Sequence, residues 1–209
     1  LQPDAASLLP KVVEAMAEPF ADSSAIPTYL LSEVARRTVT VALSGIGGDE
    51  FFGGYPRYLG IRTAALYGQV PSALRSAVAS IAAGAMRAGA GGRDYPGRAK
   101  RFLRDGHRSI EQQYLMWTSF LHEEAAGAAL TPDLLAACGA IDCHAIREHL
   151  LKTWPSEDPV DRVMGLDMQT YLPDDLLRMG DRISMKHSLE LRVPFCDHFL
   201  VGLAKSIPA

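Results

Sequence analysis

Apolar side chains recur at helical spacing twice in the first part of the chain. Leu9, Val12, Val13 and Met16 mark one face of a segment from Leu8 to Ala17, and Leu30, Leu31 and Val34 mark another from Pro27 to Arg37. Pro27 falls in an opening turn, where its missing N–H breaks no helical rung. The pattern then changes. Thr38-Val39-Thr40-Val41-Ala42-Leu43 is β-branched and almost continuously apolar, which predicts a strand covered on both faces. It runs directly into Ser44-Gly45-Ile46-Gly47-Gly48-Asp49-Glu50. No other segment reads as a strand with equal clarity. A strand covered on both faces needs hydrogen-bonding neighbours on both edges, so its partners are expected upstream of Leu1. The open edges also make self-association of the chain, as a homo-oligomer, an expectation.

Beyond this point the pattern predicts helices. Ile110 to His122 places Tyr114, Trp117 and Leu121 on one face, a core stripe. Asp158-Pro159 opens a stretch in which Val160, Val163, Met164, Met168 and Tyr171 repeat likewise. Ahead of both lies an Ala/Gly-rich run whose segment Gly89 to Gly92 does not readily continue a helix, so a mobile loop is expected at 84–96. The chain as a whole is expected to be predominantly α-helical, with one buried strand at about 38–43.

Composition narrows the setting. With 209 residues, 48% hydrophobic and 22% charged, the chain has the make-up of a soluble globular protein, with one compact domain as the default. A net charge of −3 provides no basic excess for nucleic acid or an anionic membrane surface. The absence of a long apolar run argues against a membrane span. Cys138, Cys143 and Cys196 are too few and too irregularly spaced for a disulfide framework, and Cys138, Cys143 and His144 lack a fourth ligand for zinc. A cytoplasmic setting is expected. Beginning at Leu1 rather than Met, the chain reads as a piece of a longer protein.

The glycine-rich segment carries the candidate chemistry. An apolar strand followed by small residues leaves backbone N–H groups at its carboxyl end, where α/β folds bind ligands. Glycines admit a phosphate close to the backbone, and the Asp49 and Glu50 carboxylates are hard donors of the kind Mg²⁺ prefers beside phosphates. The segment nevertheless has Glu50 where Gly-x-Gly-x-x-Gly requires its third glycine, and it lacks the Lys-Ser/Thr ending of a P-loop. On these residues alone, a tight structural turn and a phosphate site both stay open.

Residues 41–58, Val-Ala-Leu-Ser-Gly-Ile-Gly-Gly-Asp-Glu-Phe-Phe-Gly-Gly-Tyr-Pro-Arg-Tyr, resemble the second signature of the glutamine-dependent asparagine synthetases. Residues 171–198, from Tyr-Leu-Pro-Asp-Asp-Leu-Leu-Arg-Met-Gly-Asp-Arg to Arg-Val-Pro-Phe-Cys-Asp-His, resemble the third. The resemblance extends more loosely from about residue 20 to the C-terminus. It implies an α/β parent fold of the adenine-nucleotide alpha-hydrolase-like (PP-loop) type, of which residues 1–209 are part. It also implies a reaction in which ATP activates the aspartate carboxylate as an acyl-adenylate, pyrophosphate leaves, and ammonia from a separate glutaminase domain attacks to give asparagine and AMP. Carried onto this chain, Ser44, Gly45, Ile46 and Gly47 would contact the nucleotide, and Asp49 would hold Mg²⁺ with the pyrophosphate. Glu50 and Asp175 would face the amino-acid substrate, and Glu50, Asp181 and Arg182 would take catalytic parts.

The chain also departs from the family pattern. The Ser-Gly-Gly-x-Asp-Ser nucleotide loop, the glutaminase domain and a catalytic lysine beyond the third signature all fall outside residues 1–209, so this chain alone is expected to be inactive. Ile46 stands where asparagine synthetases commonly place glutamate and β-lactam-forming relatives tyrosine, and isoleucine cannot move a proton. Met179 stands where a basic residue is frequent. Two other readings therefore accompany the first: a β-lactam-synthetase-like ligase that closes an amide within one molecule, and a non-catalytic helical binding module. Several residues also have bland readings. Asp174 can open a helix, Asp181 and Arg182 can form a structural ion pair, and Arg192 and Asp197 can pair in a buried turn at Pro194.

Overall fold

The computed structural model describes residues 4–71, 74, 102, 108–119, 128, 130–138 and 145–208. The loop expected at 84–96 lies outside them, as do Leu121, Cys143 and His144. In chain order the elements are α1 (Ala5–Met16), α2 (Ala25–Arg36), β1 (Val41–Leu43), α3 (Gly48–Phe52), α4 (Pro56–Gly68), α5 (Ile110–Thr118), α6 (Pro132–Cys138), α7 (Ala145–Thr153), α8 (Pro159–Gln169), α9 (Arg178–Lys186), β2 (Glu190–Arg192) and α10 (His198–Ala204). A π-helical turn, Leu172–Leu177, precedes α9, and a 3₁₀ turn, Pro194–Cys196, precedes α10. These elements fall into two compact units, Leu1–Gly54 with Leu166–Pro208 and Tyr55–Gly165.

In the first unit, α1, α2 and α9 share a core. Leu8, Val12 and Met16 pack with Ala25 and Tyr29 and with Met179 and Ile183. The Asp4 carboxylate opens α1 by accepting from the Ala6 amide at 3.1 Å, and Ala17, at φ +55°, closes it in a left-handed cap. Arg182 donates from Nη1 to the Met16 carbonyl at 2.7 Å, so the last turn of α1 is completed by a side chain of α9. The buried face is not the one the spacing suggested. Leu9 is 53% exposed, Val13 56% and Leu31 68%. The apolar stripe of α1 is two rows wide, and only the row Leu8–Val12–Met16, at i, i+4, i+8, meets α2 and α9.

The strand also differs from expectation. Ladder pairing is confined to Val41–Leu43, because Thr38 and Val39 close the end of α2 by donating to the Ala35 carbonyl at 3.0 and 2.9 Å. β1 is not covered on both faces. Val41 and Leu43 are exposed and Ala42 is half-buried, the alternation of a strand with one covered face. A second strand, β2, lies parallel to it with Val41 opposite Glu190, Ala42 opposite Leu191 and Leu43 opposite Arg192. Leu189, Leu191 and Val193 alternate with polar residues, a period-2 pattern five residues long. The expected single buried strand is thus a pair of short half-covered ones in a predominantly helical setting.

The π-helical turn replaces the helix start expected at Asp174. Pro173 lacks an amide and removes one rung of the ladder, and the chain passes from α8 to α9 through a widened turn. In the second unit, Tyr58, Ile61 and Ala64 of α4, Tyr114 and Leu115 of α5, Leu151 of α7 and Val160, Val163 and Met164 of α8 are buried. Tyr114 is fully buried, as its stripe predicts. Ser109 and Gln112 form a capping box at the start of α5, and Arg162 pairs with Glu111 at 2.7 Å.

Row selectivity on the core helices has a direct measure in this 209-residue chain. Ile183→Ala empties a fully buried site and is expected to cost about 3 kcal/mol in denaturant unfolding. Leu31→Ala, on an exposed row, is expected to cost less than about 0.5 kcal/mol. Equal losses would show that the wrong row has been placed in the core.

Candidate functional site

Parallel pairing brings the carboxyl ends of β1 and β2 to the same side, and both strands lead into tight turns there. The ladder is extended by the Ser44 amide, which donates to the Arg192 carbonyl at 2.8 Å. After β1 the chain reverses through Ser44–Gly48. The Ile46 amide donates to Ser44 Oγ at 3.3 Å, the Gly48 amide donates to the Gly45 carbonyl at 3.1 Å, and Gly47 adopts φ +94° before α3 begins. After β2 the 3₁₀ turn closes with the Cys196 amide on the Val193 carbonyl at 2.9 Å. Asp197 then caps α10 by accepting from the Phe199 and Leu200 amides at 3.0 and 3.3 Å. Arg192 pairs with Glu190 at 2.8 Å on the surface, so neither Arg192 nor Asp197 enters the buried pairing considered for them.

The two turns pack on each other. The Cys196 thiol donates to the Ile46 carbonyl at 3.8 Å, and the Phe195 ring lies against Gly48. A Cβ at Gly47 would stand 2.8 Å from Cys196 Sγ and 3.1 Å from the Phe51 ring, so glycine is required there by space as well as by its left-handed φ. Burial pushes the Cys196 thiol pKa above its ordinary value, and the nearby Glu50 charge pushes the same way. The thiol therefore keeps the proton it donates.

The carboxylates of this segment differ. Glu50 is 1% exposed and belongs to the interior. Asp49 is exposed, with its carboxylate lying over Gly54, where a methyl group would overlap it, while the Gly54 amide donates to the Asp49 carbonyl at 3.0 Å. Gly53, at φ +69°, makes that turn-back. Ser44 is half-buried and Gly45 exposed, with nothing within 4 Å of the position of a Cβ.

The third-signature residues distribute around α9. Gly180 lies against Ile46 and so joins this helix to the glycine turn. Asp181 is exposed in the first turn, with its carbonyl accepting from Ser184 Oγ at 3.2 Å. Arg182 goes to the Met16 carbonyl rather than to an Asp181 ion pair. Asp175, in the π-helical turn, has Oδ1 buried with no hydrogen-bond partner. Burial raises its pKa to about 6, with a smaller contribution from the Asp22 charge. Asp22 is itself fixed by accepting from the Ser24 amide at 2.7 Å, and Ser24 Oγ reaches Met179 Sδ at 3.4 Å. Met179 is thus a core residue beside this acidic pair. His187 packs edge-on against Tyr29 with ring centroids 4.3 Å apart.

The structure therefore gathers Ser44, Gly45, Ile46, Gly47, Asp49 and Glu50 with Gly180 and Cys196. Asp175 and Arg182 reach toward the connection from α1 to α2. Gly180, Gly54 and Cys196 were missed in the sequence. The one available signal was Gly180 itself, since a glycine in a helix interior costs about 1 kcal/mol relative to alanine and calls for a reason. Among the described residues no three His, Cys, Asp or Glu side chains form a group able to hold a metal unaided. No described helix is long and apolar enough to cross a membrane.

A family model described as asparagine synthase matches residues 1–209. Asparagine synthetase [glutamine-hydrolyzing] 1 of Bacillus subtilis is 30% identical over 203 residues, which are 96% of this chain and 30% of that protein. A Mycobacterium tuberculosis protein provisionally named as a glutamine-hydrolysing asparagine synthetase is 29% identical over 204 residues, 96% of this chain and 29% of its own length. Amidase chyE of Penicillium rubens is 25% identical over 208 residues, 91% of this chain and 29% of its own. The chain thus spans just under a third of the length of these relatives. No solved structure matches it significantly.

Asp175 supplies a pH test. Because the fold favours its neutral form, its stabilising contribution is present below the ordinary aspartate range and is lost as the pH rises through about 6. Asp175→Asn removes that loss. The melting temperature of the variant relative to the parent is expected to climb between about pH 4 and pH 7. A difference that does not change with pH would mean that the carboxyl is ionised normally.

Proposed function

The chain belongs to the asparagine synthase family, and on that premise we propose that it forms part of an ATP-dependent ligase that adenylates a carboxylate and transfers ammonia to it. The observation that carries this reading is the exposed Asp49 carboxylate, held over Gly54 one residue past a glycine turn at the carboxyl end of β1. A cation bridging phosphates takes one or two protein carboxylates and fills its remaining positions with phosphate oxygens and water. A single exposed Asp49 fits a magnesium ion that arrives with ATP.

The steps follow from the chemistry. A substrate carboxylate oxygen attacks the α-phosphorus of ATP, the bond from that phosphorus to the oxygen bridging it to the β-phosphate breaks, and pyrophosphate leaves. Charge accumulates on the leaving group, and a magnesium ion held by Asp49 would supply the positive charge that favours the transition state over the ground state. Ser44, Gly45 and Gly47 offer small side chains and backbone to the nucleotide, and Gly45 has open space on its Cα. Ammonia then attacks the acyl carbon, the amide forms, AMP departs, and a proton is released from the attacking nitrogen. Exclusion of water and placement of the reactants account for most of this second step. Glu50, Asp175, Asp181 and Arg182 are proposed to border the acceptor site. A glutaminase domain elsewhere in the parent protein is the proposed source of ammonia, and aspartate the proposed acceptor.

A different acceptor is the second reading. It is favoured by Ile46, which stands at a position where the resembled enzymes carry a polar group, and by the relative named as an amidase.

In the full-length parent, Asp49→Asn is expected to lower carboxylate-dependent ATP–pyrophosphate exchange by about a hundredfold. Unchanged exchange would remove Asp49 from the metal role. The isolated 209-residue chain is expected to show no exchange, and a steady rate from it would refute the view that it is only part of the catalytic apparatus.

A further inference from the structure

Gly180 lies inside α9 with ordinary right-handed backbone, so no unusual φ calls for a glycine. Space does. A Cβ at this position would stand 3.0 Å from Ile46 Cδ1 and 3.2 Å from Leu191 Cδ2, nearer than the ~3.5–4.0 Å at which carbon atoms attract. Leu191 is the middle residue of β2, and Ile46 lies in the turn after β1. One bare patch of helix therefore receives a side chain from each of the two strand segments.

Ile46 is held on every side available to it. Its side chain packs with the cluster formed by Phe51, Leu172 and Ala204. Its amide donates to Ser44 Oγ, and its carbonyl accepts from the Cys196 thiol. The residues that follow, Gly47 and Gly48, have no side chains with which to hold themselves in place. Their position depends on Ile46 and on the Cys196 and Phe195 contacts beneath them.

We propose that Ile46, seated on Gly180, is a positioning residue that fixes the height of the Ser44–Gly48 turn above α9 and thereby presents its glycine backbone to the nucleotide. The anchoring stands on geometry alone. Its catalytic consequence rests on the ligase reading above. Half-buried against that cluster and without an ionisable group, the side chain at 46 acts by placing main chain rather than by moving a proton. An added methyl at 180 presses on Ile46 Cδ1 and Leu191 Cδ2, and removal of Cδ1 at 46 relieves the nearer of the two contacts.

The test uses the full-length protein as wild type and as Gly180→Ala, Ile46→Val/Gly180→Ala and Ile46→Ala. Amide hydrogen exchange is followed in peptides covering residues 43–51, together with kcat and KM for ATP in the pyrophosphate-exchange reaction. Gly180→Ala is expected to speed amide exchange in those peptides about tenfold, as overpacking weakens the seat. The double variant should recover most of the lost protection and of the lost kcat/KM. A loss of overall stability alone would lower the melting temperature without being rescued at residue 46. Protection at 43–51 unchanged by Gly180→Ala, or a double variant no better than the single, overturns the proposal. Should Gly180→Ala not fold, Ile46→Ala decides, since it must also speed exchange in the same peptides, and unchanged protection overturns the anchoring. If protection shifts as described while the wild type shows no ATP-dependent exchange, the anchoring is upheld and the ligase reading fails.

Discussion

Three rungs of parallel β-ladder connect two parts of the chain that lie almost 150 residues apart, and the arrangement of the first unit depends on that pairing. Parallel strands must be joined by a crossover, and they end on the same side. The glycine turn after β1 and the Pro194–Cys196 turn after β2 consequently meet, with Cys196 against Gly47 and Phe195 against Gly48. A one-residue slip of β2 would exchange its two faces. Leu191 would then leave Gly180, and the exposed Glu190 and Arg192 would be turned inward. So short a ladder has little strength of its own, and the packing of Ile46 and Leu191 onto α9 at Gly180 adds to it.

Helix α9 serves as a platform with two uses. Through Met179 and Ile183 it completes the core of α1 and α2, and through Arg182 it satisfies the last turn of α1. Through Gly180 it receives Ile46 and Leu191. The residue with no side chain is therefore as specific as its neighbours, since it sets how closely the sheet and its turn approach the helix. The helix is also entered through a π-helical turn, which sets the direction of Asp175 independently of the regular spacing that follows.

How much of this was legible follows from what each signal measures. Helical periodicity located α1 and α2 within a few residues but misjudged the buried row. Leu8, Leu9, Val12 and Val13 form one wide apolar stripe, and only tertiary neighbours decide which part is covered. The composition of Thr38–Leu43 promised a strand covered on both faces, whereas pairing starts only at Val41 because the end of α2 takes Thr38 and Val39. β2 leaves only a faint trace, since the alternation of Leu189, Leu191 and Val193 spans five residues and just three of them pair. Family resemblance singled out Ser44–Glu50 and the third signature. It could not show that Arg182 reaches the end of α1, since a hydrogen bond between residues 166 positions apart leaves no local trace.

The acidic residues of the first unit show why position in a motif does not fix a chemical role. Asp49 and Glu50 are adjacent, yet the turn of α3 leaves one in solvent and buries the other. Of the two, only Asp49 presents its carboxylate to solvent. Asp175 occupies a third environment, where burial and the Asp22 charge favour the protonated carboxyl. A neutral carboxyl can donate a hydrogen bond, which an ionised one cannot. Carboxyl groups in surroundings as different as these are suited to different tasks. On the ligase reading, Asp49 is suited to the metal and the leaving pyrophosphate, and Asp175 to orienting an acceptor through a proton it gives up at about pH 6. The division arises from backbone geometry: the left-handed Gly47 and Gly53 that bracket α3 in one case, and the rung removed by Pro173 in the other.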